Sequence, residues 1–420
     1  MKHEVDPVTR QYDVNTVNKM IMGTGYLFKN KLARIINNHK HALQLMRMGK
    51  LTRAINLLNT IYFVPGGEGT MSLAYRMGLS KLIKKYPQLA PIPRYIEIEV
   101  TTVCDKDCIF CEHTHWEKES QEMAHLKFDE FKHITDQFPN VRWVNLTGEG
   151  SAFLNKDYFK MLHHLRDTYD TSLYLTDHLS DLSKDNLDEL IGLIDGIQLS
   201  IDGATKETYE KIKVGCDFDK VIDNLRYFVE KKRQLGQYKP DLNMRYVVIK
   251  ENVHEIPMFI DLINSIMDRK DMDVGTINFT GLLYFEEIKQ WYVDSYPEEI
   301  VNEIRKRVDN GVFFRFVNCS DETNPPPEDC YYWMEPYIMM GGYVMPCCSV
   351  MMSNQRPFLK KYAYGNVFEQ DFKDIWNSER YKTFRKTITD PNAPIPALCA
   401  GCRGFNTKSR EARFGIAEDI

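Results

Sequence analysis

No run in this 420-residue sequence approaches the roughly 20 apolar residues that a membrane-spanning helix needs. The N-terminal stretch MKHEVDPVTRQYD has no apolar core of the kind that marks a signal peptide. An excess of basic charge is also lacking. The net charge is -5, so a nucleic-acid partner, which normally requires a cationic face, is not expected. Internal repeats and low-complexity tracts are absent, which argues against a solenoid or a biased disordered segment. A cytoplasmic globular protein is the expectation. In that compartment its ten cysteines stay reduced and serve better as ligands than as disulfides. An apolar fraction of 43% supports a sizeable core, and the length suits two or three domains.

The chain divides into three zones and a tail. Residues 1–92 read as a helical leader. KLARIINNHKHALQLM and LTRAINLLNTIYF repeat apolar residues three and four apart, and VPGGEGT (64–70) reads as a turn. Residues 93–318 alternate short β-rich runs with amphipathic stretches. The runs are RYIEIEVTT, VRWVNLTG, SLYLTDH, GIQLSIDG, NMRYVVIK and TINFTGLLYF. Between the first two, KFDEFKHITDQF sets Phe128, Phe131, Ile134 and Phe138 on one face. Six β–α units predict an α/β fold, a partial (β/α)6 TIM-like barrel, whose chemistry collects at the C-terminal ends of the strands. Residues 319–405 predict a small α+β domain. It has a hairpin turning on Gly341-Gly342 and one amphipathic helix over 372–388, after a linker at NPPPEDC (324–330). Residues 406–420 form a tail.

CDKDCIFC, residues 104–111, directly follows the first predicted strand. Its spacing, C-x3-C-x2-C, supplies three thiolates where a closed metal site uses four ligands. Two readings fit. One is a structural zinc site with His113 as fourth ligand. The other is a four-iron cubane held at three corners, with one iron free to bind a small molecule.

CDKDCIFC resembles the cluster motif of the radical S-adenosylmethionine (radical SAM) enzymes, C-x3-C-x-aromatic-C, with Phe110 in the aromatic place. VNLTGEG resembles the family's Gly-Gly-Glu motif after the second strand, and DGIQLSIDGATKETYEKIKVG its fourth strand and following helix. GGYVMPCC, GNVFEQDFKDIWNSERYKTFR and CAGC resemble the C-terminal extension called SPASM, or its shorter form, twitch. The resemblance spans about residues 93–405 and favours the cluster over zinc.

It implies that Cys104, Cys108 and Cys111 hold a [4Fe-4S] cluster whose free iron takes the methionine moiety of S-adenosylmethionine. One electron then yields a 5'-deoxyadenosyl radical, which abstracts hydrogen from the substrate. Glu149 is the implied partner of the methionine ammonium. Gly148 permits close backbone approach. Phe110 packs near the adenine, and Ser200 and Asp202 reach the ribose or carboxylate. The alternative for that last pair is ordinary strand-end polarity. The earlier GGEG at 66–69 precedes the first strand and reads as a turn. Where the family often has Thr-Asn-Gly, this chain has Asp177 and His178, and His178 is a weak candidate acid or base beside the plainer reading of a solvated rim histidine. His113, His115 and Trp116 either line the pocket or cap a loop.

Cys330 and Cys347, with 16 residues between them, and the C-x2-C pair Cys399 and Cys402 would close one auxiliary [4Fe-4S] cluster. Zinc on the same four thiols is the structural alternative. No cysteine follows Cys402, which points to the twitch-like arrangement. Cys216, Cys319 and Cys348 read as buried thiols, and the methionines near this site as core filling.

The leading function is radical oxidation of an unidentified substrate, with the auxiliary cluster accepting an electron. Its cysteine pattern resembles that of an aminoglycoside-pathway dehydrogenase. A second reading is modification of a ribosomally made peptide, against which the helical leader counts because no winged-helix pattern appears. A third is a non-enzymatic zinc or iron–sulfur binding protein. The implied partners are S-adenosylmethionine, a small-molecule or peptide substrate, and an external electron donor of flavodoxin or ferredoxin type.

Overall fold

The computed structural model describes residues 10–21, 24–63, 85–116, 123–268, 275–282, 286–308, 311–317, 330, 332–348, 356–400, 402 and 408–418. Seven parallel strands frame it: β1 (Tyr95–Glu99), β2 (Trp143–Thr147), β3 (Ser172–Asp177), β4 (Gly196–Ser200), β5 (Asp241–Val248), β6 (Thr276–Gly281) and β7 (Phe313–Val317). They neighbour one another in chain order, as repeated βα units do. The first six are the six expected from sequence. The seventh, FFRFV, extends the expectation by one unit, because a short run that is apolar but for Arg315 does not by itself distinguish a strand from a turn of buried helix.

Strand side chains alternate between two faces. Ile96, Ile98, Val144, Leu146, Leu173 and Leu175 join the core beneath the helices. The other face is largely polar. Register sets Glu97 beside Asn145, and aligns Ser200, Arg245, Asn278 and Arg315 in one row. Phe131, Ile134 and Phe138 are buried as their spacing predicts. Ser183, Thr205 and Asp217 each accept a backbone N–H at the start of the helix that follows them.

The leader forms helices Val14–Ile21, Thr24–Arg47 and Leu51–Phe63. It is not wholly helical: Gln11–Tyr12 pairs antiparallel with Tyr296–Pro297, a match too short to leave a sequence pattern. The first helix covers the outer edge of β7. Asn18 Nδ2 donates to the Phe316 carbonyl at 2.9 Å, and its Oδ1 accepts the Phe316 N–H at 3.3 Å. A side-chain amide thus pairs an edge strand that would otherwise offer its backbone to other chains. The turn expected at 64–70 lies outside the described residues, as does most of the expected linker.

The hairpin is present. β8 (Tyr337–Met339) and β9 (Tyr343–Met345) turn on Gly341 and Gly342, both at φ +85°, where glycine is favoured. β8 also pairs parallel with β1, so the sheet continues into the C-terminal zone and has nine strands among the described residues. The single helix expected over 372–388 is two, Phe372–Asn377 and Glu379–Thr389. Ser378 breaks it: its backbone is extended, and its side chain caps the second helix by accepting from the Tyr381 N–H. Among the described residues no helix is long and apolar enough to cross a membrane.

Candidate active site

The cysteine loop leaves the C-terminal end of β1 and lies against the segment after helix Lys206–Ile212. The Asp107 N–H donates to the Val214 carbonyl and the Ile109 N–H to the Ile212 carbonyl, both at 3.0 Å. Lys213 lies between these two contacts. The Cys111 N–H donates to the Cys108 carbonyl at 3.0 Å, making a tight turn around Phe110. Thr114 Oγ1 donates to the Cys108 carbonyl at 3.0 Å, and His115 Nε2 bonds the Ile109 carbonyl at 2.9 Å. His113, the fourth ligand of the zinc alternative, is buried and bonds the Thr102 carbonyl through Nε2 at 2.9 Å. These histidines fix the loop.

Cys108 and Cys111 open on a cavity of about 250 Å³. Phe110, Gly148, Glu149 and Ser200 line the same cavity. Four of the five residues expected at the cofactor site are therefore together. Gly148 is required by its surroundings, since a Cβ there would meet the Thr101 carbonyl at 2.7 Å and Glu99 Cγ at 3.0 Å.

Asp202 does not line the cavity. It is fully buried, accepts the Val247 N–H at 2.6 Å and pairs with Lys213 Nζ at 2.9 Å. The ammonium of Lys213 lies 5.5 Å from the centre of the Phe110 ring and lines the cavity with Arg245. Burial alone would lower the Lys213 pKa, but the charges of Asp202 and Cys108 more than offset it, so the group is held charged. Glu112 is a further buried lining residue. Sequence reading missed these three. Lys213 sits in the quoted DGIQLSIDGATKETYEKIKVG, and its position just beyond a helix end was the available signal.

His178 is set apart from this cavity. Its Nδ1 accepts the Ser180 N–H at 3.1 Å, and its Nε2 lies 3.7 Å from Asp181, which also pairs with Lys106 of the cysteine loop at 2.9 Å. Cys104 is half-buried and does not line the cavity.

Burial raises the pKa of Cys104, Cys108 and Cys111, so bare thiolates are disfavoured there. Iron supplies the positive charge that such buried thiolates require. Among the described residues, no three His, Cys, Asp or Glu side chains are gathered closely enough to hold a single metal ion. A cubane, with a separate iron for each thiolate, does not require that convergence. The donor set, the cavity and the close backbone approach at Gly148 fit a cluster with a chelating ligand.

In the C-terminal zone, Cys347 and Cys399 are buried, and both act electrostatically on the stacked rings of Tyr364 and Tyr381, whose centres are 4.4 Å apart. The Cys402 N–H donates to the Cys399 carbonyl at 3.2 Å, closing the C-x2-C turn. Cys330 packs against the same core. Cys348 is hydrogen-bonded to Glu97 of β1. Burial pushes the Glu97 carboxyl up to about 7, opposed by hydrogen bonds from Cys348 and Asn145. Burial, with the charge of Glu97, pushes Glu335 up to about 8. This carboxyl pair carries no sequence motif.

A buried ion pair fastens the two zones. Arg356 Nη1 and Nη2 donate to the Glu99 carboxylate at 3.1 and 2.6 Å, and Glu99 also accepts the N–H groups of Met340 at 2.8 Å and Glu149 at 3.4 Å.

The Radical SAM superfamily model matches residues 98–263, and the SPASM model, an iron-sulfur cluster-binding domain, matches residues 330–403. The chain is 24% identical over 315 residues to the tungsten-containing aldehyde ferredoxin oxidoreductase cofactor-modifying protein of Pyrococcus furiosus, covering 70% of this chain and 83% of that one. It is 27% identical over only 74 residues to the S-adenosyl-L-methionine-dependent 2-deoxy-scyllo-inosamine dehydrogenase of Niallia circulans, 18% of this chain and 27% of that one. Among solved structures, SuiB of Streptococcus suis bound to S-adenosylmethionine superposes with a TM-score of 0.54 at 18% identity, over 86% of this chain and 80% of that one. SuiB has also been solved with its precursor peptide SuiA. At that identity the likeness is one of fold.

Proposed function

The chain belongs to the radical SAM superfamily and carries a SPASM domain, and we propose on that premise that it oxidises a substrate held inside the barrel by hydrogen abstraction. Cys104, Cys108 and Cys111 hold the catalytic cluster, and Cys330, Cys347, Cys399 and Cys402 hold one auxiliary cluster. When bound, the first cluster and S-adenosylmethionine supply one-electron cleavage of a carbon–sulfur bond and a 5'-deoxyadenosyl radical. Glu149 binds the methionine ammonium, and Lys213 and Arg245 offer cations to its carboxylate. Gly148 lets that group approach the backbone, Phe110 flanks the adenine and Ser200 takes a ribose hydroxyl. Asp202 acts through Lys213, which it orients. Net oxidation of an alcohol also releases a proton, and the Glu97–Glu335 carboxyl pair accepts one near neutral pH. Electrons enter from a flavodoxin or ferredoxin in a reducing cytoplasm.

One observation carries this reading: a single cavity gathers two motif cysteines with Phe110, Gly148, Glu149 and Ser200. Iron, acid-labile sulfide and zinc in protein reconstituted without oxygen test it. About eight irons with matching sulfide supports both cysteine sets. Zinc with little iron sinks the radical mechanism and leaves the binding-protein reading. Cys104→Ala should make no 5'-deoxyadenosine. The likeness to SuiB supports a second reading, abstraction from a peptide, which a crosslinked or epimerised peptide product would establish.

A further inference from the structure

A second cavity, of about 440 Å³, lies at the other end of the barrel from the cysteine loop. Its volume is in the range of small-molecule sites. The helix end at Ile191 and Gly192, before β4, and the turn at Leu235–Lys239, before β5, form one side. The end of helix Thr24–Arg47 and the start of Leu51–Phe63 form the other. None of its lining residues belongs to the cluster cavity.

The charges lining it do not cancel. Arg53 is paired with Asp195 at 3.2 Å, Lys239 with Asp241, and Asp188 with Lys231 at 2.8 Å. Arg47 and Lys50 are exposed at the mouth, and neither has an acidic partner among the described residues. Two cations are therefore in surplus. Deeper in, His41 is 3% exposed, and its Nε2 has no hydrogen-bond partner among the described residues. Gln44 Nε2 donates to the Gly236 carbonyl at 3.2 Å, which turns its Oε1 toward His41 Nδ1 at 3.4 Å. That arrangement assigns the proton to Nδ1 and leaves Nε2 a bare acceptor. Leaving a buried acceptor unmet is costly, so the site is incomplete by itself.

We propose that this cavity is a second ligand site, for a phosphorylated, hydroxyl-bearing small molecule of mononucleotide size. The phosphate meets Arg47 and Lys50, a hydroxyl or N–H donates to His41 Nε2, and the body lies on Leu45, Ile191 and Leu235.

The test is calorimetry on the reconstituted full-length enzyme, with S-adenosylmethionine saturating to block the cluster cavity. The probes are uridine 5'-monophosphate and ribose 5-phosphate, with uridine as the uncharged control. One saturable site per chain for at least one phosphorylated probe, and binding of uridine at least about tenfold weaker, is expected from a charge-assisted contact. Arg47→Glu/Lys50→Glu should weaken the phosphorylated probe about tenfold or more. Both side chains are exposed, so folding is retained. Gly192→Phe should block the cavity, since a Cβ at Gly192 meets nothing within 4 Å. No binding of either phosphorylated probe, equal binding of uridine, or unchanged binding in the charge-reversed variant would overturn the proposal.

Discussion

Arg356→Met isolates the contact that fastens the C-terminal zone to the cluster end of the barrel. The guanidinium and the Glu99 carboxylate are joined by two hydrogen bonds, with side-chain exposures of 3% and 0%. Removing the guanidinium leaves a buried carboxylate whose remaining hydrogen-bond donors, among the described residues, are the backbone N–H groups of Met340 and Glu149. Breaking a buried pair from one side costs about 3–5 kcal/mol. Unfolding entropy is roughly 2 cal/mol/K per residue, so across 420 residues the melting temperature should fall by about 3–6 °C. Glu99→Met/Arg356→Met should recover part of the loss, because the unpaired charge goes and, among the described residues, two backbone donors lose a partner. The assay is anaerobic scanning calorimetry of reconstituted protein, with KM for S-adenosylmethionine measured alongside. Glu99 accepts the Glu149 N–H, so KM should rise in the double variant, which removes that acceptor. A melting temperature within about 1 °C of the parent in Arg356→Met would refute the assignment of this pair as a buried fastening.

Cys399→Ala should spare uncoupled formation of 5'-deoxyadenosine yet stop product formation and lower iron by about four per chain; normal turnover would remove the electron-accepting role. Lys213→Met should raise KM for S-adenosylmethionine about tenfold, the loss of one charge-assisted contact, and an unchanged KM would place Lys213 outside the binding machinery. His41 supplies a pH dependence. Burial lowers its pKa to about 4; the Asp195 charge opposes that shift, and the charges of Lys239 and Arg53 add to it. The unfolded chain therefore takes up a proton near pH 6.5 that the folded chain refuses until about pH 4, and stability present above pH 6.5 is lost as pH falls through that window. The term is on the order of 3 kcal/mol at its limit. His41→Leu should flatten the fall in melting temperature between pH 7 and pH 5, and an unchanged slope would contradict the buried neutral imidazole.

The barrel was legible because its determinants are local. Six strands announced themselves as β-rich runs between amphipathic stretches, and the hairpin by Gly341-Gly342. The three-cysteine motif was legible for the same reason: C-x3-C-x2-C is written within eight residues. The helix over 372–388 was misread because Ser378 continues the polar face of the pattern, and only its extended backbone reveals that it ends one helix and starts another. β7 was missed because FFRFV does not alternate cleanly between apolar and polar residues, even though Asn310-Gly311 stands just before it as a turn signal.

The remaining site residues depend on contacts between segments far apart in the chain. Lys213 follows Cys111 by about a hundred residues, and it reaches Phe110 only because the cysteine loop hydrogen-bonds to the carbonyls of Ile212 and Val214. Asp202 was legible as a polar residue at a strand end, but the pattern could not tell whether it faces ligand or protein. The structure turns it inward to the Val247 N–H and to Lys213. A carboxylate that is fully buried offers nothing directly to a ligand. It does, however, hold a buried ammonium charged beside the cavity. The chemistry expected of Asp202 is therefore exerted one residue further on, at Lys213. Asp202→Asn should consequently raise KM for S-adenosylmethionine less than Lys213→Met does, because a neutral amide still orients the ammonium that makes the contact.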